Sequence, residues 1–262
     1  MIFADHVARL EASLATYPSL LVALSGGVDS GALLGIAARA LPGRVLGVTT
    51  HSAAVSAEEV DSAMRAARQV GVPHAVLETE ELADPDYVAN AGNRCYFCRT
   101  EMYGRLRAFA DEQGLHAIAD GVHKDDAVQD RPGLRAAAEH AVLHPLRAAG
   151  FGKREVRRLA RALGLPHHDR PAEPCLASRL PVGVRVTRGR LERVERAERA
   201  LKQLGYRVVR VRCEDRRGRI EIGSAELERA RSEEQRLVQL VRGAGFESAV
   251  LDPRGYRSGG AE

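Results

Sequence analysis

Ser25-Gly26-Gly27-Val28-Asp29-Ser30 follows the apolar run Leu20-Leu21-Val22-Ala23-Leu24 and leads into an Ala/Leu-rich stretch ending at Leu41. A short apolar run that ends on a glycine pair reads as a strand and a tight turn, and the helical periodicity over 30–41 reads as the helix that the turn opens. In doubly wound α/β folds ligands bind at that place, outside the carboxyl end of a strand and at the amino end of the next helix. The glycines let successive backbone N–H groups converge, the helix N-terminus adds partial positive charge, and Ser25 and Ser30 offer hydroxyl donors, so the turn suits a phosphate or pyrophosphate. The turn lacks the Gly-Lys-Ser/Thr ending that places a lysine on the terminal phosphates of a nucleotide in P-loop enzymes. That absence argues against γ-phosphoryl transfer.

Outward from the turn the alternation continues, with strands over 45–49, 75–79 and 117–120 and helices over 57–70 and 95–112. Strands alternating with helices predict an α/β fold, a doubly wound parallel sheet with helices on both faces. Residues 120–145 are polar and carry no lasting period, which predicts a long active-site loop. A helix returns over 153–163, and the four prolines of 166–181 mark a second irregular stretch. Beyond it come a charged helix over 188–204, strands over 207–213 and 219–222, helices within 225–242 and a last strand over 248–251. We therefore expect a larger α/β domain over 1–170, a linker carrying Cys175 over 171–184, and a smaller C-terminal α+β domain over 185–262.

The chain has 262 residues, 45% of them hydrophobic, enough to bury a full core. Its opening residues have no signal-peptide layout, and no run behind them is long and apolar enough to span a bilayer, so the expectation is a cytoplasmic protein off the membrane. The formal charge is +4, too small to demand nucleic acid, although the basic residues concentrate in the second half and favour anionic ligands there.

Four cysteines in a chain of this size argue against a disulfide framework. Cys95 and Cys98, three apart, share one face at the start of a helix, and Cys175 lies in the irregular Pro174-Cys175-Leu176-Ala177-Ser178-Arg179. The trio suits a [4Fe–4S] cluster with one open iron, a zinc site, a redox pair or plain thiols. Cys213 shares parity with Val209 and Val211 and should face the core, while Arg210 and Arg212 share the opposite face, where they either bind a phosphate or carboxylate or stand in solvent. Glu195 and Glu198 read as solvated, and the lone His123 is given no role.

The turn resembles the SGGxDS loop of the PP-loop ATP pyrophosphatases, among them GMP, NAD and argininosuccinate synthetases and the tRNA thiolases. Taken with Asn93-Arg94-Cys95-Tyr96-Phe97-Cys98, Asp120-Gly121 with Asp125-Asp126, Arg131-Pro132-Gly133-Leu134, His144-Pro145-Leu146 and the Cys175 segment, nearly the whole chain resembles the LarE family of ATP-dependent sulfur transferases. The resemblance implies ATP split to AMP and pyrophosphate with Mg2+. It also implies a substrate, pyridinium-3,5-biscarboxylic acid mononucleotide, whose carboxylates become thiocarboxylates during nickel-pincer nucleotide biosynthesis. It implies Ser25, Gly26, Gly27, Asp29, Ser30 and Asp125 at the nucleotide, Arg210 and Arg212 at the substrate phosphate, and Cys95, Cys98 and Cys175 on a [4Fe–4S] cluster, in a homo-oligomer. In the family's other route, the cysteine matching Cys175 gives up its own sulfur. At position 123 the family pattern leads us to expect a small polar residue such as asparagine.

Three other readings compete. A tRNA thiolase would share the loop and the cluster, but this chain has no zinc ribbon and few aromatics for stacking bases. A synthetase using ammonia would not need the three cysteines, and a nucleotide-sensing binder would need no chemistry at all.

Overall fold

A computed structural model describes residues 3–126, 132–165, 168–169, 171 and 173–257. In chain order the elements are α1 (Phe3–Ala15), β1 (Leu20–Ala23), α2 (Val28–Ala40), β2 (Val45–His51), α3 (Ala57–Val70), β3 (His74–Glu78), α4 (Pro85–Ala89), α5 (Arg94–Glu112) and β4 (Ala117–Ala119). They continue with α6 (Pro132–Glu139), α7 (Pro145–Ala148), α8 (Lys153–Ala162), α9 (Arg188–Gln203), β5 (Val209–Glu214), β6 (Arg217–Ile222), α10 (Leu227–Ser232), α11 (Glu234–Gly243) and β7 (Ser248–Leu251). The chain divides into two compact units, Met1–Glu81 with Cys95–Glu173, and Leu82–Arg94 with Pro174–Glu262. No helix among the described residues is long and apolar enough to cross a membrane.

The first unit is built on a parallel sheet of order β3-β2-β1-β4, in which Leu20 pairs with Val45 on one side and Ala117 on the other. Period-two alternation splits the core between the two faces. Leu20 and Val22 pack with α1, α2 and α8, whereas Leu21 and Ile118 pack with Tyr103 and Leu106 of α5 and Ala136 and Ala137 of α6. Helix α3 has a capping box: the Glu59 N–H donates to Ser56 Oγ at 3.3 Å and the Ser56 N–H to Glu59 Oε2 at 3.0 Å. A cap of that kind is worth about 1 kcal/mol. It also fixes where the first turn of α3 lies, which matters for the glycine turn.

The irregular loop expected over 120–145 contains a helix, α6. Pro132 opens it, where a missing N–H costs nothing, and eight residues around Gly133 are too few to show a period. Arg131 of the quoted motif and Pro166 of the irregular stretch lie outside the described residues.

The second unit holds a sheet of order β5-β6-β7, antiparallel between β5 and β6 and parallel between β6 and β7. The segment carrying α4 joins this unit: the Val186 N–H donates to the Val88 carbonyl at 2.9 Å, and Asn90 Nδ2 donates to the carbonyls of Pro181 and Val184 at 2.7 and 2.9 Å. Asp252, at the end of β7, is 3% exposed and accepts from the Arg254 N–H at 2.9 Å and from Arg219 Nη1 at 2.9 Å. Burial alone would raise its carboxyl, but the hydrogen bonds from Arg254 and Arg219 win and hold the pKa at about 2, against 3.8. A depressed folded-state pKa contributes stability that is present above 3.8 and is lost as pH falls toward 2. Asp252→Asn is expected to cost on the order of 2 kcal/mol at pH 7, and urea unfolding of variant and parent should converge near pH 2. A constant gap at both pH values would refute the linkage.

Candidate active site

The Ser25–Ser30 turn closes on itself through its hydroxyls. The Ser25 N–H donates to Ser30 Oγ at 3.1 Å, the two hydroxyl oxygens are 3.1 Å apart, and Ser30 Oγ donates to the Gly27 carbonyl at 3.3 Å. Gly26 has φ +77°, and a Cβ there would stand 2.2 Å from the Glu59 carbonyl oxygen, so only glycine lets the turn pass beneath α3. The Ser62 hydroxyl donates to the Gly26 carbonyl at 2.9 Å. Gly27 is the residue before α2, with no side-chain cap. The N-terminus of α2 is therefore open to an anion.

Asp29, in the first turn of α2, accepts from Lys153 Nζ at 2.7 and 2.6 Å through its two oxygens. Lys153 is the first residue of α8, and Asp125 sets it there: Asp125 Oδ2 accepts the Lys153 N–H at 2.6 Å. A carboxylate at a helix N-terminus is favourable, so Asp125 positions a lysine that the glycine turn itself does not carry. Gly121 closes the other side, since a Cβ there would be 2.6 Å from the Ser30 nitrogen.

Asp120, one residue before, is buried and accepts from Tyr103 Oη at 2.6 Å, from the Val122 N–H at 3.1 Å and from His144 Nδ1 at 2.7 Å. Arg99 Nη1 donates to Tyr103 Oη at 2.6 Å. Burial would raise the Asp120 carboxyl, but the bonds from His144 and Tyr103 and the Arg99 charge hold it below its usual value. The Tyr103 phenol is pushed up, by burial first and by Asp120, so it remains a donor. This chain of bonds ties α5 to the floor of the turn.

Cys95 is exposed and Cys98 half-buried on the first turns of α5, and Cys98 Sγ lies 3.9 Å from Glu81 Oε1. Cys175, half-buried, belongs to the second unit. Its segment wraps a buried guanidinium: Arg179 Nη1 donates to the Cys175 carbonyl at 3.0 Å, and Arg179 Nε and Nη2 each donate to Glu198 at 2.8 Å. Glu198 thus corrects the expectation of a solvated residue, being 4% exposed, with Oε1 also accepting the Val211 N–H at 2.9 Å. Glu195 pairs with Arg199 on the same helix at 3.2 Å. Cys213 is fully buried and its thiol is pushed up by burial, which leaves it a packing residue. Among the described residues no three His, Cys, Asp or Glu groups stand together as a metal site. Chemically, a set of three thiols outside disulfides is of the kind that holds iron–sulfur centres.

Arg210 and Arg212 are both buried, because β5 is covered on both faces. Arg212 donates through Nε to Glu221 at 3.0 Å and through Nη1 to the Ser178 carbonyl at 3.0 Å, which joins it to the Cys175 segment. Arg210 donates to the Val209 carbonyl at 2.6 Å and lies 5.3 Å from the Tyr256 ring centroid. Burial pushes the Glu221 carboxyl up against the pull of Arg212 and Arg219.

A family model described as asparagine synthase matches residues 10–94, which contain the glycine turn. Over 98% of this chain and 93% of its own length, the pyridinium-3,5-bisthiocarboxylic acid mononucleotide synthase of Lactiplantibacillus plantarum is 34% identical. An uncharacterized protein of Synechocystis is 40% identical over 91% of this chain and 90% of its own. A tRNA-specific 2-thiouridylase of Xanthobacter autotrophicus is 32% identical over 58% of this chain and 49% of its own length.

Proposed function

Since the chain belongs to the LarE family, that of the pyridinium-3,5-bisthiocarboxylic acid mononucleotide synthase, we propose that it adenylates the carboxylates of pyridinium-3,5-biscarboxylic acid mononucleotide with ATP and Mg2+ and replaces oxygen by sulfur. The observation that carries this reading is the turn itself, an open helix N-terminus between Ser25 and Ser30 with Lys153 on Asp29.

A carboxylate is a poor electrophile because its charge is delocalised, so activation has to come first. A substrate oxygen attacks the α-phosphorus of ATP, the bond to the β-phosphate oxygen breaks, and pyrophosphate leaves onto the N–H groups of Gly26 and Gly27. These N–H groups, the hydroxyls of Ser25 and Ser30 and the α2 terminus hold the leaving charge. Asp29 would hold the magnesium, which when bound supplies positive charge to the phosphates, Asp125 holds the first residue of α8, and Lys153 adds its own charge there. Sulfur then attacks the acyl carbon of the mixed anhydride and AMP departs, leaving the thiocarboxylate.

Arg210 and Arg212 hold the substrate phosphate in this reading. Cys95, Cys98 and Cys175 would hold a [4Fe–4S] cluster, which when bound supplies an open iron able to carry the sulfide that is transferred. A cytoplasmic homo-oligomer completes the proposal.

The test is pyrophosphate release from ATP and magnesium, measured with the mononucleotide, with tRNA and with ammonia in turn, and the mass of the product. Release that requires the mononucleotide, with oxygen-to-sulfur exchange in its mass, is expected. Release driven by tRNA would transfer the assignment to the thiolases, and release driven by ammonia to the synthetases.

A further inference from the structure

His123 follows the carboxyl end of β4 and is 5% exposed. Its ring lies between two carboxylates of the first unit, with Nε2 3.9 Å from Asp29 Oδ1 and Nδ1 3.4 Å from Asp126 Oδ2. Despite that proximity, Nδ1 makes no hydrogen bond among the described residues. Asp126 bonds the main chain of residue 123: the His123 N–H donates to Asp126 Oδ2 and the His123 carbonyl accepts the Asp126 N–H, each at 3.1 Å. A ring with its hydrogen on Nε2 accounts for both facts. Its Nδ1 then has only a lone pair to offer a carboxylate, and its Nε2–H stands on the Asp29 side, with Nε2 3.9 Å from Asp29 Oδ1 and not yet within hydrogen-bond distance.

Asp29 is engaged by Lys153 on both oxygens, but a carboxylate has about four acceptor sites. In the adenylating reading nucleotide phosphates compete for the lysine ammonium, and once it turns toward them Asp29 has lost its Lys153 partner. Resting on the adenylating reading above, we propose that His123 is a positioning residue for ATP, whose Nε2–H takes up Asp29 when Lys153 moves to the phosphates and so keeps the carboxylate aimed at the nucleotide-bound cation.

Side-chain length makes this testable. Asparagine carries its amide nitrogen one bond beyond Cγ, where histidine has Nδ1, and falls short of Asp29. Glutamine reaches one bond further, to the level of Nε2.

The experiment is calorimetric binding of ATP with Mg2+ to the full chain, without the carboxylate substrate, for the parent and for His123→Gln, His123→Asn and His123→Ala. The glutamine variant is expected to stay within about threefold of the parent, while asparagine and alanine lose roughly tenfold in affinity. In turnover, the KM for ATP should rise by a similar factor with a smaller change in kcat. Equal affinity in all four proteins, or equal loss with glutamine and asparagine, overturns the proposal. Should the alanine variant not fold, the contrast between glutamine and asparagine still decides the outcome. A parent chain that does not bind ATP and Mg2+ at all would instead refute the adenylating reading, without bearing on which atom of residue 123 matters.

Discussion

Cys175→Ala is expected to abolish thiocarboxylate formation, by at least about a thousandfold, while ATP-dependent release of pyrophosphate on the mononucleotide persists. In the proposed chemistry activation uses the glycine turn, Asp29 and Lys153, which lie in the first unit, and none of those groups forms a bond to the Cys175 side chain. The two half-reactions should therefore separate. The segment around Cys175 is held by the Arg179 guanidinium on Glu198, so removing one sulfur leaves the scaffold of the loop intact and the loss can be read as chemical. Mass spectrometry of product and of the Cys175 peptide in the parent then distinguishes the two sources of sulfur. Many turnovers with Cys175 intact favour delivery through the cluster. At most one equivalent, with Cys175 converted to dehydroalanine, means that its thiolate displaced AMP and the Cβ–S bond was then cleaved by elimination. Retention of thiocarboxylate formation in Cys175→Ala would remove the residue from either route.

Elements whose signals are local were legible in the sequence. Helix α3 runs from Ala57 to Val70 as its period suggests, because Ser56 and Glu59 cap one end and Gly71, at φ +68°, stops the other. The strand, glycine turn and helix around Ser25–Ser30 also carry local signals, the apolar run and the glycine pair, and they put the turn at the carboxyl edge of a parallel sheet.

What failed to show depends on partners far along the chain. Lys153 is separated from Asp29 by 124 residues, and in sequence it is one basic residue among several. Glu198 sits on a helix dense in charge, and its burial is decided by Arg179 in a stretch with no period to read. The segment Leu82–Arg94 owes its place in the second unit to hydrogen bonds from Asn90 to residues 91 and 94 positions away. Alternation on β5 put Arg210 and Arg212 on the same face but could not say that this face is covered as well.

Gly26→Ala carries the other large effect, because there two costs fall on one atom. The left-handed φ of +77° is worth about 1 kcal/mol against any residue with a Cβ. Gly43 isolates that part, with φ +71° and nothing within 4 Å of an added Cβ, so Gly43→Ala should cost only that amount. At Gly26 the added carbon would lie 2.2 Å from the Glu59 carbonyl oxygen and 3.1 Å from the Ala63 nitrogen. These are backbone atoms of a helix fixed by its capping box, and they cannot turn aside as a side chain can. Either α3 lifts off the sheet or the turn opens, and both displace the N–H groups proposed to receive pyrophosphate. Urea unfolding should show a loss of about 3 kcal/mol or more for Gly26→Ala, and calorimetry a fall of more than about a hundredfold in affinity for ATP with Mg2+. If the two alanine variants prove equally stable, the turn has room that the 2.2 Å approach denies, and the tight passage beneath α3 is not what selects glycine at position 26.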